Sequence, residues 1–230
     1  MIVEEASFDP NRDTGDLAPR LSVKTKASPY SWLAGPVVSR FGSDAVQSRM
    51  SDLSKLIDEQ KGIYRSATGE ILLNTSEQFC SVDAPQVQGV AAFFSRRGTH
   101  QLTDVAFESG NEYGAAIAIS LDGQPLSNSR KILVQYTTRS RPTGWQERAA
   151  QIATEAGGNQ AGFEILDFGK APWKVQEAKL KVSLKTKGIT SASVLDANFM
   201  PRSAVTLTRT TGGETAFEFP KSALYVILTG

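Results

Sequence analysis

The chain has one cysteine, Cys80, and one histidine, His100, in 230 residues. A lone cysteine excludes an internal disulfide and any cysteine-based zinc site. With a single histidine beside it, a transition-metal site lacks its usual ligands, so no metal residue is assigned. A structural calcium remains compatible with the sequence, because loop aspartates and carbonyl oxygens are enough to hold it. No run approaches the roughly 18 apolar residues of a membrane-spanning helix. The opening M-I-V-E-E-A-S-F-D-P has neither a basic stretch nor an apolar one, so no signal peptide and no membrane partner are expected. Lys plus Arg number 25 against 24 Asp plus Glu, and that balance argues against a nucleic-acid partner. The G-x-S-x-G, H-E-x-x-H and glycine-rich phosphate-loop motifs are missing. There is no repeat of fixed period and no low-complexity linker.

What is present is β-patterned. Hydrophobic residues at 40% and charged residues at 21% suffice for a packed core. In S-A-T-G-E-I-L-L-N-T-S-E-Q-F-C-S-V-D-A-P-Q-V-Q-G-V, Thr68-Gly69 and Asn74-Thr75-Ser76 are turn-formers between β-prone runs. Alternation puts Ile132, Val134 and Tyr136 on one face of residues 131–139, and Leu180, Val182 and Leu184 on one face of 179–185. In residues 113–121 the odd positions are apolar and the even ones small, which lets a second layer approach closely. Tyr136 and Phe217 read as core residues. Cys80, between Phe79 and Ser81, reads as a buried packing residue. About a dozen short strands follow from residue 21 onward, the first over residues 21–26. The expected fold is all-β, an antiparallel β-sandwich or jelly roll with one or two short helices in connecting loops. The helix candidates are residues 44–57, with apolar positions Val46, Met50, Leu53 and Ile57, and residues 146–156. The second lies in an excursion, 142–160, read as a loop between sheets. Residues 1–28, with Asp9-Pro10 and Pro19, read as an extended lead-in over the surface of a single sandwich domain, 29–230.

Several stretches resemble a known region. P-Y-S-W-L-A-G-P-V-V, S-A-T-G-E-I, V-D-A-P-Q-V-Q-G-V, S-L-D-G-Q-P-L-S-N-S-R-K-I-L-V, A-P-W at 171–173, V-L-D-A-N and A-L-Y-V-I-L are similar to the accessory β-sandwich that follows the catalytic barrel in large bacterial glycoside hydrolases. The likeness runs from about residue 30 to 228. It departs at Leu73 and Asn74, which replace an aromatic and an acid, and at Pro142, which replaces Asn. The resemblance implies a noncatalytic carbohydrate-binding module, secreted or periplasmic as part of a larger enzyme. Its partners would be a polysaccharide or oligosaccharide and the parent catalytic domain, with no cofactor.

Sugar-binding sandwiches stack pyranose faces on exposed rings and bind hydroxyls with polar neighbours. The loop aromatics here are Tyr30, Trp32, Trp145 and Trp173, and Arg139 and Arg141 lie just before Trp145. For Trp145 an exposed platform and a core anchor are both open, whereas Trp32 and Trp173, beside Pro or Gly, read more as plugs under loops. A structural module that packs on a glycosidase barrel without binding sugar is the alternative, and an exposed apolar patch is its sign. Catalysis is a third reading. A glycosidase needs two flanking carboxylates from among Glu70, Asp83, Asp104, Glu108, Glu112 and Asp122. A lyase would draw on Arg96, Arg97, His100 and Tyr113. Solvated turn carboxylates and a polar hairpin tip are the simpler accounts of those residues.

Overall fold

Alternating apolar residues become strands whose inner faces meet in one core. The structure is a computed structural model, and it describes residues 4–8, 30–41, 49–153 and 157–230. A ten-stranded antiparallel sheet runs, in spatial order, through Pro201–Ala204, Ser191–Leu195, Tyr225–Thr229, Lys131–Thr138, Gly114–Ser120, Val87–Ala92, Phe79–Ala84, Ile71–Asn74, Ile63–Arg65 and Ile57–Asp58. A five-stranded sheet, Thr208–Arg209, Thr215–Glu218, Leu180–Leu184, Val105–Ser109 and Thr99–Gln101, covers its inner face. The core between them joins Val90, Ala116, Ile132, Val134, Tyr136, Val226 and Leu228 of the large sheet to Val105, Phe107, Val182 and Phe217 of the small one. The all-β sandwich is therefore the observed architecture.

The small face of Gly114–Ser120 decides how closely the layers meet. Ala116 and Ala118 are buried against the core, while Ile117 and Ile119 lie half-exposed on the outer face of the large sheet. At Gly114 a Cβ would collide with the ring and hydroxyl of Tyr136. That ring is fully buried, and its hydroxyl is within hydrogen-bond distance of Ser109 Oγ (2.8 Å) and donates to Asn111 Oδ1 (3.1 Å). Asn111 in turn donates from Nδ2 to the Glu177 carbonyl and accepts from the Lys179 backbone N–H. A buried hydroxyl leaves water only when such partners exist.

The turns are those expected. Gly69 and Gly123 have φ of 78° and 75°, a conformation that glycine reaches without strain. Beside Gly123, Asp122 accepts from Ser120 Oγ, Ser129 Oγ, Gln124 N–H and Arg130 N–H at 2.8–3.2 Å. The Arg130 N–H, foremost among these donors, holds the Asp122 carboxyl well below the usual carboxylate range.

The helix expectations fail. Of residues 44–57, positions 44–48 lie outside the described residues; Arg49–Met50 and Ile57–Asp58 are strands. Leu56 and Ile57 N–H both bond the Leu53 carbonyl, so the helical spacing is satisfied by a single turn before Ile57 joins the ladder opposite Tyr64. That turn still buries Leu53 against Ala34, with Leu56 and Ile57 alongside. Of the second candidate, 146–156, residues 146–153 are a strand, because Asn159–Asp167 offers it a full antiparallel partner, and 154–156 lie outside the described residues. The α-helix that is described, Ser31–Ala34, falls in the P-Y-S-W-L-A-G-P stretch instead. Glu4–Phe8 pairs in parallel with Val37–Phe41 and antiparallel with Arg49–Met50; the strand expected over 21–26 lies outside the described residues. Cys80 is half-buried on the outer face of the large sheet, since Phe79 and Ser81 take the core face. No helix among the described residues is long and apolar enough to cross a membrane.

Two consequences are measurable. Tyr136→Phe leaves Ser109 and Asn111 without their shared partner and should cost about 1–3 kcal/mol in urea unfolding, with an unchanged m-value. Asp122 has a folded pKa below its unfolded one, so its bonds contribute stability above about pH 4 and lose it as pH falls through the folded value. Asp122→Ala should lower Tm at pH 7 and narrow its gap from wild type in acid.

Candidate functional site

Four of the six aromatic and arginine residues singled out in the sequence lie on one feature. After Thr138 the chain leaves the large sheet as a β-ribbon arm. Ser140–Thr143 pairs with Lys170–Val175, and beyond a bulge Gln146–Ala153 pairs with Asn159–Asp167. The Gln176 N–H donates to the Arg139 carbonyl at the base, and Arg139 pairs with Glu112 at 2.6 Å. None of the described residues from 140 to 177 is buried. The excursion expected as a loop between sheets is thus a two-stranded arm.

Trp145 is half-buried at the bulge. Its indole N–H donates to Glu147 Oε2 (2.7 Å), the Arg141 guanidinium lies 4.8 Å from the ring centroid, and Phe168 meets its edge at 5.8 Å. Arg141 also reaches Glu147 at 3.8 Å, and Arg141 Nε is buried without a hydrogen-bond partner. One face of Trp145 and its N–H are therefore in use, which makes it a brace of the bulge rather than an open platform. Trp173, paired across the ladder with Pro142, is 64% exposed. Trp32 is 53% exposed on its short helix. The plug-under-a-loop expectation fails for both, since more than half of each side chain is open to solvent. Tyr30 packs at a tilt against Tyr64, whose strand stands five places from Lys131–Thr138 in the large sheet, roughly 24 Å away at the usual strand spacing. Tyr30 and Trp32 therefore do not share a site with the arm residues.

The outer ladder of the arm is two-faced. Ala149 opposes Phe163, Gln151 opposes Ala161 and Glu147 opposes Ile165, giving a mainly apolar face. On the other face Arg148 pairs with Glu164 at 2.6 Å. Phe163, Ile165, Leu166, Phe168, Ile152 and Val175 are all exposed. Alternation was present in residues 160–165, where Ala161, Phe163 and Ile165 stand on one face, whereas Ala149, Ile152 and Ala153 of its partner have helical spacing, which concealed the arm. A second apolar surface, on the outer face of the large sheet, is a shallow groove of about 290 Å³ over Gly89, lined by Val82, Ala91, Ala115 and Ile117. Cys80 also lines it, and burial pushes its thiol pKa up, away from reactivity.

The catalytic candidates are partly brought together: Glu70, Asp83, Arg97 and His100 share one cleft, and Arg96, Tyr113, Asp104, Glu112 and Asp122 are engaged elsewhere. Of the four lyase candidates, Arg97 and His100 line one cleft; Arg96 instead donates to Gln78 Oε1, and Tyr113 packs on Phe93. Glu70 and Asp83 line that same cleft, Asp104 accepts from Gln88, and Glu112 is paired with Arg139. His100 is 5% exposed, wedged between the Phe79 and Phe94 rings, with its Nε2 unpartnered. It is a buried imidazole, not the polar hairpin tip expected. Among the described residues no group of three His, Cys, Asp or Glu side chains is arranged to hold a metal ion. No known family, curated protein or solved structure matches this chain.

Burial foremost, and then the Arg97 charge, lowers the His100 pKa. The unfolded chain therefore takes up this proton first, and stability should fall as the pH drops below about 6.5 toward the folded value. His100 is the only histidine. His100→Phe should accordingly flatten the dependence of Tm between about pH 5 and 7.5. An equally sloped profile in the variant would assign the effect elsewhere.

Proposed function

We propose that the chain is a noncatalytic accessory β-sandwich module of a polysaccharide-degrading system, and that the arm is the surface by which it docks onto the rest of that system. The exposed apolar face of the arm carries this reading. A two-stranded ribbon is marginally stable alone in water, and large exposed apolar surfaces usually mark sites that a partner covers. Phe163, Ile165, Leu166 and Val175 are side chains suited to another protein's surface, whereas sugars are held by rings with polar neighbours. The motif resemblance supplies the setting.

Magnitudes favour a partner in the same polypeptide. Covering the exposed parts of Phe163 (61%) and Ile165 (40%) gains roughly 1.5–3 kcal/mol before costs, while free association loses an estimated 4–15 kcal/mol of translational and rotational freedom. A covalently linked domain, held at effectively millimolar concentration, avoids most of that loss. The arm is matched to docking within one enzyme rather than to capturing a free protein.

One observation favours a second reading, carbohydrate binding. Trp173 presents an open indole, as a sugar platform would.

Two assays separate these readings. If the arm is an uncovered docking face, the isolated chain should enhance the fluorescence of a hydrophobic dye, and Phe163→Asp with Ile165→Lys should remove the enhancement while moving stability by less than about 0.5 kcal/mol. A wild-type chain silent toward the dye would overturn it. Affinity electrophoresis against soluble polysaccharides tests the second reading, which requires retardation that Trp173→Ala abolishes.

A further inference from the structure

The cleft beside His100 has no part in the arm. It opens between the strands Ile71–Asn74 and Phe79–Ala84 of the large sheet and Thr99–Gln101 of the small one, and holds about 210 Å³. That is below the 300–1,000 Å³ of drug-sized sites and equals roughly seven water volumes, so it accommodates a small ligand only.

Its lining is divided in character. Leu72, Phe79 and Leu102 make an apolar wall, while Arg65, Glu70, Asp83, Arg97 and Gln101 bring polar groups to the opening. Two guanidiniums stand against two carboxylates, so their formal charges cancel and the cleft has no net field selecting an ion. Among the described residues the side chains of Arg65, Arg97 and Glu70 have neither an ion pair nor a hydrogen bond within the chain, although opposite charges line the same small space. Asp83 is positioned by the Thr103 N–H (3.2 Å) and hydroxyl (3.0 Å). His100, buried and with Nε2 unpartnered, lies in the lining. That nitrogen is closed off from solvent, so the polar groups a ligand can reach are those of Arg65, Glu70, Asp83, Arg97 and Gln101.

A hydroxyl both donates and accepts. A ring bearing several of them would donate hydrogen bonds to Glu70 and Asp83, accept them from Arg65 and Arg97, and lay its C–H face on Phe79 and Leu72. We propose that this cleft binds one uncharged, polyhydroxylated ring of the size of a single pyranose, either a free monosaccharide or the terminal unit of a glycan. This proposal stands apart from the docking role of the arm.

The test is titration of the whole chain, followed by amide NMR, with glucose, galactose, mannose and galacturonate up to about 100 mM, where a millimolar ligand saturates. Saturable shifts at Ser81, His100 and Leu102 with a neutral sugar are expected. Glu70→Gln and Arg97→Ala, at surface positions, should each weaken them about tenfold, the loss of one charge-assisted hydrogen bond. Trp173→Ala and the paired Phe163 and Ile165 substitutions should leave them unchanged. Matching shifts from an oligosaccharide of the same sugar would identify the chain end as the source, and shifts from the monosaccharide alone the free sugar. No saturable shift with any sugar, shifts that survive both cleft variants, or tighter binding of galacturonate than of galactose would overturn the assignment.

Discussion

The Tyr136 hydroxyl and Asn111 form the connection on which the rest of the architecture depends. Tyr136 belongs to the large sheet, Ser109 ends a strand of the small one, and Asn111 binds the backbone where the chain returns from the arm, at Glu177 and Lys179. One buried cluster thus joins both layers and closes the arm's base. Its polar atoms are costly to bury unless all are paired, so the cluster fixes geometry more strictly than the aliphatic core around it can. The space it occupies exists only because residue 114 has no side chain. Arg139 with Glu112, and the Gln176 N–H on the Arg139 carbonyl, extend the same fastening outward.

That fastening explains how an apolar arm is borne by the fold. The two sheets bury their own core without any residue between 140 and 177, so the sandwich does not draw on the arm for stability. The arm owes its shape to its own ladder, to the Arg141–Trp145–Glu147 brace at the bulge, and to the closed base. Its apolar residues are consequently available to a partner.

The fold was legible wherever alternation coincided with burial. The faces read for Ile132, Val134 and Tyr136, and for Leu180, Val182 and Leu184, are the buried ones, and the small face of residues 114–118 meets the second layer as expected. Periodicity misled where two structures serve one pattern. Leu53 and Ile57 have helical spacing, but one turn suffices to seat them on Ala34, and strand pairing then takes over. Residues 146–153, rich in alanine, read as helix because their partner strand lies beyond an intervening turn, and pairing is a nonlocal property that a local window does not contain. The candidate site was legible as residue types but not as a place. Tyr30 and Trp32 share a sequence neighbourhood with turns, as Trp145 and Trp173 do, yet sheet order separates the pairs. The cleft was the reverse case: Arg97 and His100 drew attention as a hairpin tip, while Arg65 and Glu70 join them only through strand register.

The same alternation serves two physical ends in this molecule. In the sheets it sorts side chains between core and solvent, and burial supplies the stability. In the arm it sets Ala149, Phe163 and Ile165 on one face, and Ile152 with the Arg148–Glu164 pair on the other, with no core beneath either, so the free energy of covering Phe163 and Ile165 is not spent in folding. An apolar face held outside the core is costly in solubility and contributes nothing to the isolated chain. Such a surface is what the proposed docking of the arm onto a linked domain would cover.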